Sequence, residues 1–146
     1  MNWLSDLFTN PFLMVSLGSW FIAQFLKVVI DFFIHKTWNW ERLFGDGGMP
    51  SGHSATVTSL AVTAGLEYGL GSAVFASAAT LAIIVMHDAM SVRLEAGKHA
   101  KALNDLLELL SSDLENEIKL KELLGHTPIQ VVVGAMLGLC VALTLQ

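Results

Sequence analysis

The sequence predicts an all-α integral membrane helical bundle of about four spans. An amphipathic helix on the cytoplasmic side is expected between spans three and four. Three observations predict this. First, 53% of the 146 residues are apolar and mean hydropathy is +0.59. Second, charged residues make up 14% of the chain, against roughly 25% in a soluble domain. Third, the apolar residues gather into four runs separated by polar connections. One domain, 1–146, suits this length, with an amphipathic insertion at about 94–125. The net charge of -5, with no basic stripe, argues against a nucleic-acid partner. A single cysteine, Cys140, excludes an intrachain disulfide framework. The amino end carries Asp6 rather than a basic region, so no signal peptide is expected.

The first run spans 12–34. Gln24, Lys27 and Asp31 interrupt it at i, i+3 and i+7, so a helix places them on one face. Two readings stay open. Lys27 and Asp31, four residues apart, neutralise each other, or Lys27 faces an anion. The connection 35–54 holds His35, Lys36 and Arg42, and its Trp38 and Trp40 suit a membrane interface. The second run, about 55–66, is short for a span and extends toward Ser51 and Leu70. A turn at Gly69-Leu70-Gly71 leads to the third run, 72–86, rich in Ala and Ser for close packing in lipid.

From 94 to 125 leucines recur at helical spacing among charges, which reads as an amphipathic helix at the bilayer surface. Ser112-Asp113-Leu114-Glu115 has the pattern of a second helix start. Thr127 reads as an N-cap with Pro128 in the first helical position. The last run reaches Leu145 and carries Gly134 and Gly138 as a packing stripe. Four spans put 35–54 and 87–126 on one side. Lys and Arg lie there and not in the termini or the 69–71 turn, so the positive-inside rule places both loops in the cytoplasm and both termini outside.

This topology brings His53, Arg93 and His126 to one membrane face, with Lys27 about two turns deeper. The stretch Gly47-Gly48-Met49-Pro50-Ser51-Gly52-His53-Ser54 is central to it. Backbone N–H groups before a helix can cradle an anion, and an imidazole beside them can protonate a leaving oxygen. The same residues also serve as a turn that caps a helix.

Pro50-Ser51-Gly52-His53 resembles the middle signature of the type 2 phosphatidic acid phosphatase and vanadium-dependent haloperoxidase superfamily. Gly125-His126-Thr127-Pro128, followed by Gly134 and Gly138, is similar to the end of its third signature. Over nearly its full length the chain resembles the small divergent branch called acid phosphatase/vanadium-dependent haloperoxidase-related proteins. The resemblance implies a metal-independent phosphoric ester hydrolase with no cofactor, acting on a lipid or isoprenoid phosphate. It implies His126 as the nucleophile that becomes a phosphohistidine, and His53 as the acid that protonates the leaving alkoxide. Ser51, Gly52, Lys27 and Arg93 would hold the phosphate. Self-association is compatible with this reading.

The pattern departs from the family's in three places. Ile34-His35 stands where the first signature has Arg-Pro; Lys36 or Arg42 are candidate substitutes. Arg93 lies far upstream of His126, so 94–125 splits the third signature. Arg93 and His99 have the family spacing, but no helix-starting proline follows His99 and Leu103 fills the acid position. Third, Gln130 replaces the acid that orients the nucleophile. It can still accept the ring N–H one turn on, or it completes a capping box with Thr127. Asp88 is a candidate partner for Arg93 or for a site histidine. His35 and His87 read as interfacial packing, and His87-Asp88 lacks further metal ligands. The alternatives to an enzyme are an inactive member that binds a lipid phosphate or a protein partner, and a small assembly subunit that docks through its amphipathic helix.

Overall fold

The computed structural model describes residues 2–38, 48–110, 120, 122 and 124–145. Trp40, Arg42, Lys119, Lys121 and the helix expected from Ser112 lie outside the described residues. The elements are α1 (Trp3–Phe8), α2 (Pro11–His35), α3 (Gly52–Tyr68), α4 (Ala73–Met90), α5 (Val92–Leu110) and α6 (Pro128–Leu145), and the described residues contain no strand.

Helices α2, α3, α4 and α6 start where the sequence supplies a cap. Asn10 accepts the Leu13 N–H at 3.2 Å before α2, and Pro11 takes its first turn. Ser51 accepts the Ser54 N–H at 3.3 Å before α3. Ser72 accepts the Phe75 N–H at 3.1 Å before α4. Thr127 and Gln130 form the reciprocal capping box of α6. Thr127 N–H donates to Gln130 Oε1 at 3.0 Å, and Gln130 N–H donates to Thr127 Oγ1 at 3.4 Å. Gly69, at φ 80°, makes the expected turn between α3 and α4.

Helix α3 is the hub, packed against α2, α4 and α6. Its inward residues are small: Ser54, Ala55, Ser59, Ala61, Thr63 and Ala64 are buried. Small side chains let neighbouring backbones approach. A Cβ on Gly134 of α6 would collide with the Ser51 carbonyl, and one on Gly138 with the Ala55 carbonyl. Ala78 and Ala82 of α4 meet Val57, Ala61 and Ala64 of α3 in the same way. The outer faces of α2, α4 and α6 expose large apolar residues, among them Phe21, Phe25, Ile83, Ile84, Val132 and Met136. Water does not tolerate so continuous a belt; lipid does.

All four apolar runs are helices, but among the described residues three helical stretches are long and apolar enough to cross a membrane: Pro11–His35, Pro128–Leu145 and Ala73–Leu109, which joins α4 to the amphipathic α5. Helix α3 has 17 residues, so at 1.5 Å each it reaches about 25 Å against the ~30 Å of hydrocarbon. Its Ser54, Ser59 and Thr63 are buried against protein, so it does not carry the apolar signature of a lipid-facing span.

Helix α4 passes into α5 at Ser91, whose N–H and Oγ both donate to the His87 carbonyl. The chain then returns along α5. Asn104 Nδ2 donates to the Leu120 carbonyl at 2.9 Å and Asn104 Oδ1 accepts the Leu120 N–H at 2.9 Å. A Cβ on Gly97 would stand 2.5 Å from the Glu122 carbonyl oxygen. One stripe of the amphipathic helix is therefore covered by its own chain. Another stripe, with Leu103, Leu106 and Leu107, is exposed.

Candidate functional site

The site end is assembled by backbone contacts between distant segments. Ser51 N–H donates to the Gln130 carbonyl at 3.1 Å, which ties the start of α3 to the first turn of α6. His126 N–H donates to the Ala89 carbonyl at 2.9 Å, which ties the loop before α6 to the end of α4. Gly125, at φ 78°, lies against the Leu94 backbone N and 2.7 Å, measured from a built Cβ, from the Arg93 carbonyl carbon. Only glycine fits both that dihedral and that contact.

These ties bring the two histidines together. His53 is the second residue of α3 and His126 lies two residues before α6. Their ring centroids are 5.9 Å apart, edge to face. His126 is 2% exposed, and its Nδ1 is buried without a hydrogen-bond partner among the described residues. The Gln130 amide oxygen accepts the Thr127 N–H, and the Gln130 side chain also lies beside the His126 ring. Burial holds the His126 pKa below the usual 6.5, and Lys27 and then His53 push it the same way, while Gln130 and the Gly48 carbonyl beside the ring pull against them. Burial and Lys27 thus favour the neutral ring.

Ser51 is fully buried, and its Oγ accepts from Ser54 Oγ at 2.9 Å. Gly52 is also buried, and a Cβ there would stand 3.4 Å from Trp20 Cδ1. Lys27 is 4% exposed on α2. It lines a cavity of about 380 Å³ together with Asp31 and His35 of α2, Gly48 and Met49, and Thr127 and Gln130. The cavity abuts the histidine pair through Lys27, Gly48 and Thr127. Asp31 Oδ1 lies 3.2 Å from His35 Nδ1. Lys27 and Asp31 line the same cavity four residues apart, which is compatible with both readings of Lys27.

Arg93 stands apart from the cavity lining. Its Nε donates to Asp88 Oδ2 at 2.8 Å, and both side chains are partly exposed. Asp88 is thus the partner of Arg93, not of a histidine. The geometry joins His53, His126, Ser51, Gly52 and Lys27, with Gln130 at the edge and the Arg93–Asp88 pair on the neighbouring helix junction. Among the described residues no three His, Cys, Asp or Glu side chains group as metal ligands would.

Sequence reasoning missed the cavity and His35, which was read as interfacial packing. A signal existed. The stripe Lys27, Asp31 continues one turn to His35, and all three line the cavity. Lys36, a candidate for the missing arginine, turns its Nζ over the Phe33 ring at 5.6 Å.

Comparison with known proteins agrees with this architecture. The model of the divergent PAP2 family matches residues 8–141. The chain is 40% identical to YuiD, an uncharacterized membrane protein of Bacillus subtilis (strain 168), over 96% of each chain. No solved structure matches it. A match over nearly the whole chain, on a lipid-facing helical bundle, has one consequence: the protein is a multi-pass membrane protein belonging to the divergent PAP2 family.

Proposed function

We propose that the protein is a membrane phosphatase that hydrolyses a lipid or isoprenoid phosphate. A ring nitrogen of neutral His126 attacks phosphorus as the bond to the alkoxide breaks, and His53 gives that alkoxide its proton. Water then attacks the phosphohistidine, His53 takes the water's proton, the P–N bond breaks and inorganic phosphate leaves. Lys27, Ser51 and the Gly52 N–H would carry the equatorial oxygens, whose charge must be met in the transition state. Arg93, held by Asp88, would approach from the α4–α5 junction.

The observation that carries this reading is a buried imidazole whose ring centroid lies 5.9 Å from that of a second imidazole, with a buried lysine on the neighbouring helix. Family membership supports the reaction class. The Lys and Arg bias of the loops supports a site on the cytoplasmic face of a bacterial cell membrane.

The test is inorganic phosphate release by purified protein from phosphatidate, phosphatidylglycerophosphate and prenyl phosphates without added metal. His126→Ala should abolish release, and His53→Ala should lower it by about 10²–10⁴-fold, the range of general acid catalysis. Unchanged turnover in both variants would sink the assignment. One observation favours a second reading, an inactive member that binds a lipid phosphate. Residue 130 is an amide, so one turn after His126 there is no carboxylate to stabilise an imidazolium. Binding of phosphatidate without turnover of any of these substrates would select it.

A further inference from the structure

Helix α3 meets α6 and α2 in different ways. Against α6 it is closed, since a Cβ on Gly134 or Gly138 would collide with the Ser51 or Ala55 carbonyl. Against α2 the contact is ordinary: a Cβ on Gly52 would stand 3.4 Å from Trp20 Cδ1 and 3.5 Å from Gln24 Nε2. The looser seam is also the polar one. Ser16, Ser19, Gln24 and Lys27 lie on the buried face of α2. Thr56, Ser59 and Thr63 follow Gly52 at i+4, i+7 and i+11, so they share the face that Gly52 turns to α2. The Thr56 and Ser59 hydroxyls donate to the Gly52 and Thr56 carbonyls. The other oxygens are unmet. Ser16 Oγ, Ser19 Oγ, Gln24 Oε1 and Thr63 Oγ1 have no hydrogen-bond partner among the described residues, and each of these residues is 9% exposed or less.

Burying a hydroxyl or an amide oxygen without a partner is costly, and native interiors meet such groups with ordered water. We propose that the seam between α2 and α3 binds a file of ordered water molecules, held by Ser16, Ser19, Gln24 and Thr63. The competing ligand for neutral oxygens is a metal cation. Among the described residues the buried polar side chains include no carboxylate, and Lys27, one turn past Gln24 on the same face, repels a cation. Water donates to the amide oxygen and both donates to and accepts from the hydroxyls. The far end of the seam is apolar: Phe12 stacks on Tyr68 at 5.6 Å, and Val15 packs with Val141 and Ala142. At the near end Gln24 and Gly52 adjoin Lys27 and His53 in the chain. The file is therefore a blind annex of the site end rather than a channel. It gives the Lys27 ammonium solvent inside a spanning helix, where an ionised side chain is otherwise costly. The annex stands whether or not the protein is a phosphatase.

The experiment uses the full chain in detergent micelles and has two readouts. Ala23 in the seam, Ala64 in the α3–α4 contact and Ala142 in the apolar contact with Val15 are each 0% exposed. Their methyl protons report nearby water through the nuclear Overhauser effect. The Ala23 methyl should give a cross peak with water, and the Ala64 and Ala142 methyls should give none. The second readout is thermal. Thr63→Val keeps the shape of the side chain and removes its oxygen. With water bound at the hydroxyl, the melting temperature should fall by a few degrees. In a dry seam the same change removes an unmet polar group, and the melting temperature holds or rises. Thr80→Val is the control: its hydroxyl is exposed and donates to the Ala76 carbonyl, so the melting temperature should stay at the wild-type value. If Thr63→Val does not fold, Ser19→Ala makes the same comparison. The proposal requires both results. A silent Ala23 methyl overturns it, and so does a water peak of equal strength at all three alanines. A melting temperature that is not lowered overturns it too.

Discussion

Helices α3 and α5 are both poor in the apolar residues that mark a membrane span, and they do opposite things with that poverty. Helix α3 is enclosed. Its serines, threonines and alanines face α2, α4 and α6, and its polar atoms lie where backbones nearly touch. Helix α5 lies outside. Charged residues share it with exposed Leu103, Leu106 and Leu107, and only one stripe is covered by the returning chain. Low hydropathy therefore carries two meanings in one membrane protein. Where residues are small, it marks an interior helix that trades lipid contact for close packing. Where residues are long and charged, it marks an arm beyond the lipid.

The sharpest way to break this contrast is to add volume at the hub. Gly138→Val sets a branched side chain against the Ala55 carbonyl, on backbone that has no room to move. Overpacking costs typically about 1–3 kcal/mol, and rigid backbone at the contact puts this variant at the upper end. Thermal unfolding in detergent should show a large drop, with much reduced folded yield. Gly97→Ala on the arm meets a carbonyl of an exposed returning segment at 2.5 Å, and that segment can yield. Its loss should be less than half that of Gly138→Val. Equal losses would mean that the arm is as rigid as the hub.

The hub contrast also explains what the sequence could reveal. Four apolar runs were legible, and so were the helix starts at Ser51 and Thr127, while the caps Asn10 and Ser72 were not. Gly134 and Gly138 announced close packing, and the structure supplies the two carbonyls they meet. The meeting of His53 with His126 was legible as topology, since both begin helices at one membrane face. Gln130 was not decidable. Its spacing fits both a ring partner and a capping box, and the structure has it do both: its amide oxygen accepts the Thr127 N–H at 3.0 Å and its side chain lies beside the His126 ring. The cavity was invisible because it depends on how far α2 and α6 diverge, and no local pattern encodes a divergence between helices almost a hundred residues apart.

Two titratable groups sharpen the comparison at a smaller energy. His126, in the loop before α6, has a pKa held below 6.5 first by burial. Glu95 on the arm has its pKa held below 4.5 first by a hydrogen bond from Lys98, a fully solvated pair 2.6 Å apart. The signs of the pH effects follow from linkage. The unfolded chain binds a proton at His126 near pH 6.5 and the folded chain only below that. Stability is present above pH 6.5 and falls as pH drops through the window beneath it. Glu95 loses its contribution only as pH falls below 4.5. The melting temperature in detergent should therefore decline from pH 7 to pH 5. The decline should shrink in His126→Gln and hardly change in Glu95→Gln. Added salt should weaken the Glu95 contribution by screening and leave the buried one in place.

The smallest effect belongs to the clasp that holds the returning chain to the arm. Asn104 offers both a donor and an acceptor to the Leu120 backbone, at 2.9 Å each, and its Nδ2 also donates to Glu122 Oε1 at 2.8 Å. These bonds are exposed, so water replaces each of them at little cost, and a net hydrogen bond contributes about 0.5–1.5 kcal/mol. Asn104→Ala should leave global unfolding within about 1 kcal/mol of wild type. Local protection should change far more. The Leu120 N–H, freed from Asn104 Oδ1, should exchange with solvent severalfold faster, while the Ser51 N–H, bonded to the Gln130 carbonyl inside the bundle, keeps its wild-type rate. Faster exchange at both amides would mean that the arm and the site end open together, and that the returning segment helps hold His126 against the end of α4.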